Sequence, residues 1–143
     1  DEHTSRGLGD VYKRQDCILL ILSILSDAQA IEFINYANEL KLDCIIEVHD
    51  EDELKRAIKL DYPVIGINNR NLKSLEINLN NSINLNKNLT NDYILIAESG
   101  IKTSDDIKKF NSTGIYNFLI GESLLKSKDK EKKIGELLLN ESY

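Results

Sequence analysis

From Cys17 onward the chain alternates between short unbroken apolar runs and longer amphipathic stretches. The runs are CILLIL, CIIEV, VIGIN, YILIAE and NFLIG, starting near residues 17, 44, 64, 93 and 117. Short apolar runs bounded by polar residues read as strands, and their continuity predicts burial on both faces, as in parallel sheets. Between them, SDAQAIEFINYANEL opens with a Ser26–Asp27 cap and sets Ile31, Ile34, Tyr36 or Ala37, and Leu40 near helical spacing. DEDELKRAIKL and KTSDDIKKF place acids first and bases later, the order that the helix dipole favours. DKEKKIGELLL predicts a closing helix with Ile134, Leu137 and Leu138 on one face, and ESLLK a short helix before it. This alternation predicts an α/β fold with parallel strands, and the intervals are comparable to the roughly 30-residue unit of a (β/α)8 barrel.

The polar residues of these runs sit at their carboxyl ends: Glu47, Asn68, Glu98 and Ser99. Period-two alternation puts Glu47 and His49 on the face opposite Cys44, Ile46 and Val48. It puts Asn68 with Gly66 and Val64, and Glu98 with Ile96 and Ile94. Three strands are thus expected to offer one inward polar group at a common height, at the end where α/β folds place their sites. Gly66 would leave room beneath. Each residue also has a plainer reading. Asn68 to Asn71 would make an ordinary polar loop, Glu47 a salt-bridged rim residue, and His49 a filler at the start of the next helix. The turns ESGIKTSDDI and LIGESLL put Ser99–Gly100 and Gly121 after the last two strands, where backbone N–H groups can approach an anion. The glycines could instead serve tight strand-to-helix turns.

Composition narrows the partners. The net charge is −6 with scattered basic residues, which argues against nucleic acid. No apolar run is long enough to span a membrane. Cys17 and Cys44 lie far apart without a Cys/His cluster, and read as buried thiols in a reducing cytoplasm rather than a metal site or disulfide. There is no methionine, even at position 1, so the chain is expected to be a piece of a longer reading frame. DEHTSRGLGDVYKRQ shows no periodicity, and TSRGLGDVYKRQ resembles a translated sequencing-adapter tail. Residues 1–15 are therefore expected to be a non-native or disordered tail, with residues 16–143 as the folded domain.

IIEVHDEDEL, IGINNRNLKSLEI, IAESGI and FLIGESLL, in this order and spacing, resemble the carboxy-terminal part of indole-3-glycerol-phosphate synthase. The resemblance covers Cys17 to the C-terminus. It implies strands four to eight of a TIM barrel, hence a partial barrel of five βα units. The family closes the pyrrole ring of 1-(2-carboxyphenylamino)-1-deoxyribulose 5-phosphate with loss of CO2 and water, in tryptophan biosynthesis, with no metal or organic cofactor. By resemblance, Glu47 is the carboxylate of proton transfer during dehydration, and Asn68 orients substrate and neighbouring carboxylates. Arg70 holds an anionic end of the substrate and Glu98 lines the wall. Ser99, Gly100, Gly121 and Glu122 form the phosphate cradle, mainly through backbone N–H groups. The family's strand-one Glu-x-Lys and strand-three lysine have no counterpart, so the chain alone is expected to be inactive, and its open sheet edges to invite self-association. Two other readings stand beside this one: another sugar-phosphate barrel enzyme, which INNRN argues against, and a short non-catalytic protein that binds anions or partners.

Overall fold

The structure, a computed structural model, describes residues 15–138. The tail expected at residues 1–15 lies outside this range except for Gln15. Five strands form one parallel sheet in chain order: β1 (Cys17–Ile21), β2 (Asp43–Val48), β3 (Val64–Asn68), β4 (Ile94–Glu98) and β5 (Asn117–Leu119). The expected starts hold to within one residue. Six helices alternate with them: α1 (Asp27–Glu39), α2 (Glu51–Lys59), α3 (Asn80–Asn86), α4 (Ser104–Asn111), α5 (Glu122–Lys126) and α6 (Lys130–Leu137). CILLIL is a strand only to Ile21; Leu22–Ile24 is a turn of 3₁₀ helix. The sequence pattern gave no sign of α3, whose segment NNSINLN has neither a side-chain cap nor a charge gradient.

The other helix starts follow from local chemistry. Ser26 and Gln29 form a capping box on α1, and Thr103 and Asp106 form another on α4. Asp50 caps α2 through the Glu53 N–H. Strand register sorts side chains into two faces. Leu20, Cys44, Ile46, Val48, Ile65, Ile67, Leu95 and Ala97 share one face and are buried in the core. The opposite face is different. Leu19, Ile94 and Leu119 are 40%, 52% and 48% exposed, so burial on both faces does not hold within this chain. Only the helix-covered face is sealed.

Two helix faces also depart from expectation. In α1 Ala30 and the expected Ala37 are buried and the expected Ile34 packs against the core, while Ile31 and Tyr36 are about half exposed. Small residues let a helix approach the sheet closely. In α6 only Leu137 of the three expected residues is buried; Ile134 and Leu138 face outward.

Candidate functional site

The site grows from the carboxyl ends of β2, β3 and β4. Register sets Glu47 beside Gly66 and Asn68 beside Glu98, so Glu47 enters one alternation below the other two rather than at their height. The empty side of Gly66 closes this gap. A Cβ there would lie 1.9 Å from Glu98 Oε1 and 2.9 Å from Ile45 Cγ2. The Glu98 carboxyl therefore leans over Gly66 toward Glu47. Both carboxyls are 3% exposed. Burial first, and the Glu47 carboxylate second, push Glu98 up to about 8, so it holds its proton at neutral pH. Glu98 Oε1 itself meets no donor.

The Asn-Asn-Arg-Asn run resolves into four separate jobs. Asn68 Nδ2 donates to Glu47 Oε1 at 3.1 Å, while its Oδ1 accepts the Arg70 N–H at 2.9 Å. Asn69 is a clamp: its Nδ2 donates to the Ser99 carbonyl, and its Oδ1 accepts from both the backbone N–H and the hydroxyl of Ser82. It ties β3, the end of β4 and α3 together. Arg70 sends its guanidinium across the mouth to Glu122 Oε2, with Nη2 at 2.8 Å. Asn71 folds the loop, its Oδ1 accepting the N–H groups of Lys73 and Ser74. The segment then doubles back, with Arg70 paired antiparallel to Ile77. The plain polar-loop reading holds for Asn71 alone.

His49 does more than fill the helix start. Its Nδ1 lies 3.1 Å from Glu53 Oε2, which also accepts the His49 backbone N–H, and its Nε2 lies 3.0 Å from Glu47 Oε1. The Nε2 contact is not aligned as a hydrogen bond. Glu47 is thus held between an amide and an imidazole. Two features of the sequence point to this role: His49 shares the Glu47 face of β2, and it precedes Glu53 by four residues. Asn81, on the unexpected helix α3, braces the same region by donating to the carbonyls of His49 and Asn68.

A cavity of about 760 Å³ opens beyond this cluster. Arg70, Glu98, Ser99, Gly100, Gly121 and Glu122 all line it, joined by Lys102 and Lys126, whose sequence context carries no site signal. Asn68 faces a second hollow of about 510 Å³ with His49 and Arg70, and Glu47 lines neither. The site residues thus divide between two hollows that share Arg70, and Glu47 lines neither of them. Ser99 (φ 67°) and Gly100 (φ 82°) are both left-handed. Gly100 is also fixed by packing, since a Cβ would lie 2.3 Å from Ile77 Cγ2. At Gly121 a Cβ would meet nothing within 4 Å, so the space before its backbone is open. Glu122 presents its carboxylate as well as its backbone; Lys126 and then Arg70 hold it below the usual carboxylate range. Among the described residues, no cluster of three His, Cys, Asp or Glu is placed to hold a metal ion, and no helix is long and apolar enough to cross a membrane.

A sequence profile of the indole-3-glycerol phosphate synthase family matches residues 10–137, starting inside the segment expected to be a tail. Indole-3-glycerol phosphate synthases from Delftia acidovorans and Legionella pneumophila (strain Paris) are 39% and 46% identical over 135 and 123 residues, covering 94% and 86% of this chain. One from Acinetobacter baumannii (strain AYE) is 49% identical over 112 residues. The chain spans about half the length of these relatives: 49%, 48% and 42%. Among solved structures, thiamine phosphate pyrophosphorylase from Pyrococcus furiosus superposes with a TM-score of 0.67 at 16% identity, covering 90% of this chain and 60% of that one. The BexX/CysO complex from Amycolatopsis orientalis gives 0.58 at 10% identity, covering 78% and 46%. These two speak to the fold alone. Five parallel strands in chain order, matched to half the length of its relatives, make this a partial TIM barrel, and the chain belongs to the indole-3-glycerol phosphate synthase family.

Proposed function

We propose that this chain carries the carboxy-terminal half-site of an indole-3-glycerol-phosphate synthase, acting on 1-(2-carboxyphenylamino)-1-deoxyribulose 5-phosphate as a carboxy-lyase in tryptophan biosynthesis. The observation that supports this most is the buried Glu47–Asn68–Glu98 cluster directly behind the cavity rimmed by Arg70, Ser99, Gly100 and Gly121. Glu47 is the proton-transfer group of the dehydration step. It is dry, its orientation is set by the Asn68 amide, and the His49 imidazole lies 3.0 Å from it. Asn68 aligns Glu47 and, through its Oδ1, the backbone that launches Arg70. Glu98, protonated at neutral pH, can donate a hydrogen bond to Glu47 instead of repelling it. The open backbone at Gly121, with Ser99–Gly100, receives the phosphate, and Arg70 supplies a guanidinium to an anionic group.

Ring closure needs a proton delivered to the substrate's carbonyl oxygen, and among the described residues no lysine is ion-paired with Glu47 or Glu98 to deliver it. The chain by itself is inactive on this reading. Its edge strands β1 and β5, each with one neighbour among the described residues, and the half-exposed Leu19, Ile94 and Leu119 favour self-association. The test is complementation. The chain is assayed for fluorescent indole-glycerol phosphate alone, then with the separately expressed amino-terminal half of the Legionella pneumophila relative. Activity is expected only in the mixture, with larger self-assemblies dispersing on addition of that half. In the mixture, Glu47→Gln is expected to lower kcat by at least about a hundredfold with KM changed little. Activity from the chain alone, or an unaffected kcat in the variant, would overturn this reading.

A further inference from the structure

The cavity is ringed by four cations, Arg70, Lys102, Lys126 and Lys133, yet two of them are already engaged by one carboxylate. Glu122 Oε2 takes Arg70 Nη2 at 2.8 Å, and Oε1 takes Lys126 Nζ. The Arg70 fork is only partly used: its other terminal nitrogen reaches no further than the Leu75 carbonyl, at 3.5 Å. A guanidinium that makes one good contact with a carboxylate keeps donors for a second anion. The pair spans the cavity mouth, linking the loop after β3 to the start of α5, 52 residues on. The pair is also wet, since the two side chains are 31% and 52% exposed. A wet ion pair is held weakly and exchanges partners readily. Gly121, one residue from Glu122, lines the same cavity as Arg70, and a Cβ there would meet nothing within 4 Å.

We propose that the Glu122 carboxylate is a resident anion, which the substrate's phosphate or carboxylate displaces from Arg70 on binding. This rests on the anion-cradle reading above and adds a role for the Glu122 side chain, beyond its backbone. Glu122 holds Arg70 across the mouth while the site is empty, and its charge sets a threshold: weakly charged ligands do not free the guanidinium, and strongly charged ones do. Its low proton affinity keeps that charge in place throughout the neutral range.

The test uses the full chain, ¹⁵N-labelled and titrated with inorganic phosphate at low ionic strength, following the amides of Ser99, Gly100 and Gly121. Glu122→Gln keeps the side-chain shape and an oxygen for Arg70 but removes the charge. Glu131→Gln, on an exposed turn of α6 outside the cavity lining, makes the same change in net charge. Glu122→Gln is expected to tighten phosphate binding about three- to tenfold, and Glu131→Gln to leave it within about twofold. In wild type, saturating phosphate shifts the Arg70 Nε–H resonance, as the guanidinium changes partner. Unchanged or weaker binding in Glu122→Gln, or equal tightening in both variants, overturns the exchange while leaving the cradle standing. No phosphate-dependent shift at any of the three amides, in wild type or variant, overturns the cradle and the exchange together.

Discussion

Gly66 carries a hydrogen where any other residue would carry a carbon, and the Glu98 carboxyl fills that space. With Glu98 Oε1 only 1.9 Å from where a Cβ would stand, Gly66→Ala must either eject a buried carboxyl or bend β3. The expected cost is about 1–3 kcal/mol, read as a lower urea midpoint at unchanged slope. Were the midpoint to stay put, the close approach would not exist in solution. The same carboxyl makes stability depend on pH. Glu98 is raised from 4.5 to about 8, so the folded chain binds its proton more tightly than the unfolded one. This contribution is fully present below about pH 4.5 and is lost as pH rises through about 8. Denaturation at pH 5, 6.5 and 8 should show wild type losing stability across that window, and Glu98→Gln losing less. Parallel profiles for the two proteins would mean that Glu98 is not buried beside Glu47.

At the scale of elements, one amide couples three of them. Asn69, 3% exposed, serves Ser99 with its nitrogen and Ser82 twice with its oxygen. Asn69→Ala would leave the buried Ser82 N–H without its acceptor, while the Ser82 hydroxyl keeps the Ile67 carbonyl, at an expected cost of about 1–3 kcal/mol. It should also broaden the amide signals of α3 and of Ser99–Gly100 before those of β2. Uniform broadening would show that Asn69 is not a local clamp. The sequence could not reveal this division of labour. Continuous apolar runs marked the five strands, and the polar residues at their ends marked the rim, because burial and alternation are one-dimensional signals. Asn68 and Asn69 are the same residue type side by side, and only the sheet shows that one points to Glu47 and the other to Ser82. Helix α3 was invisible for a related reason: NNSINLN lacks charge and cap, and it is held instead by Asn69, and by Asn81 reaching back to His49 and Asn68. On α1 and α6 spacing identifies a stripe but not how deeply each residue of it is buried: Ala37, Ile34 and Leu137 pack inward, while Ile31, Tyr36, Ile134 and Leu138 stay largely exposed.

At the scale of the whole molecule, the sheet order β1-β2-β3-β4-β5 repeats the order of the chain. Strands start at residues 17, 43, 64, 94 and 117, so each pairing closes a loop of only some twenty to thirty residues. The entropy of closing such loops is modest and nearly equal at every step. Among the described residues no strand waits for a partner from the far end of the sequence, and assembly can start at any adjacent pair and spread like a zip fastener. The most protected amides should then be those of β3, with two neighbours on either side, and protection should decline outward to β1 and β5. Hydrogen exchange read by mass spectrometry would show this as a gradient centred on Val64–Asn68, and a flat profile would mean that all five strands open as one unit. Addition of the separately expressed amino-terminal half of a full-length relative should raise protection most at the two ends and least in the middle. A fold whose spatial order copies its genetic order can be lengthened or shortened one unit at a time, and each intermediate length keeps the sheet it already has.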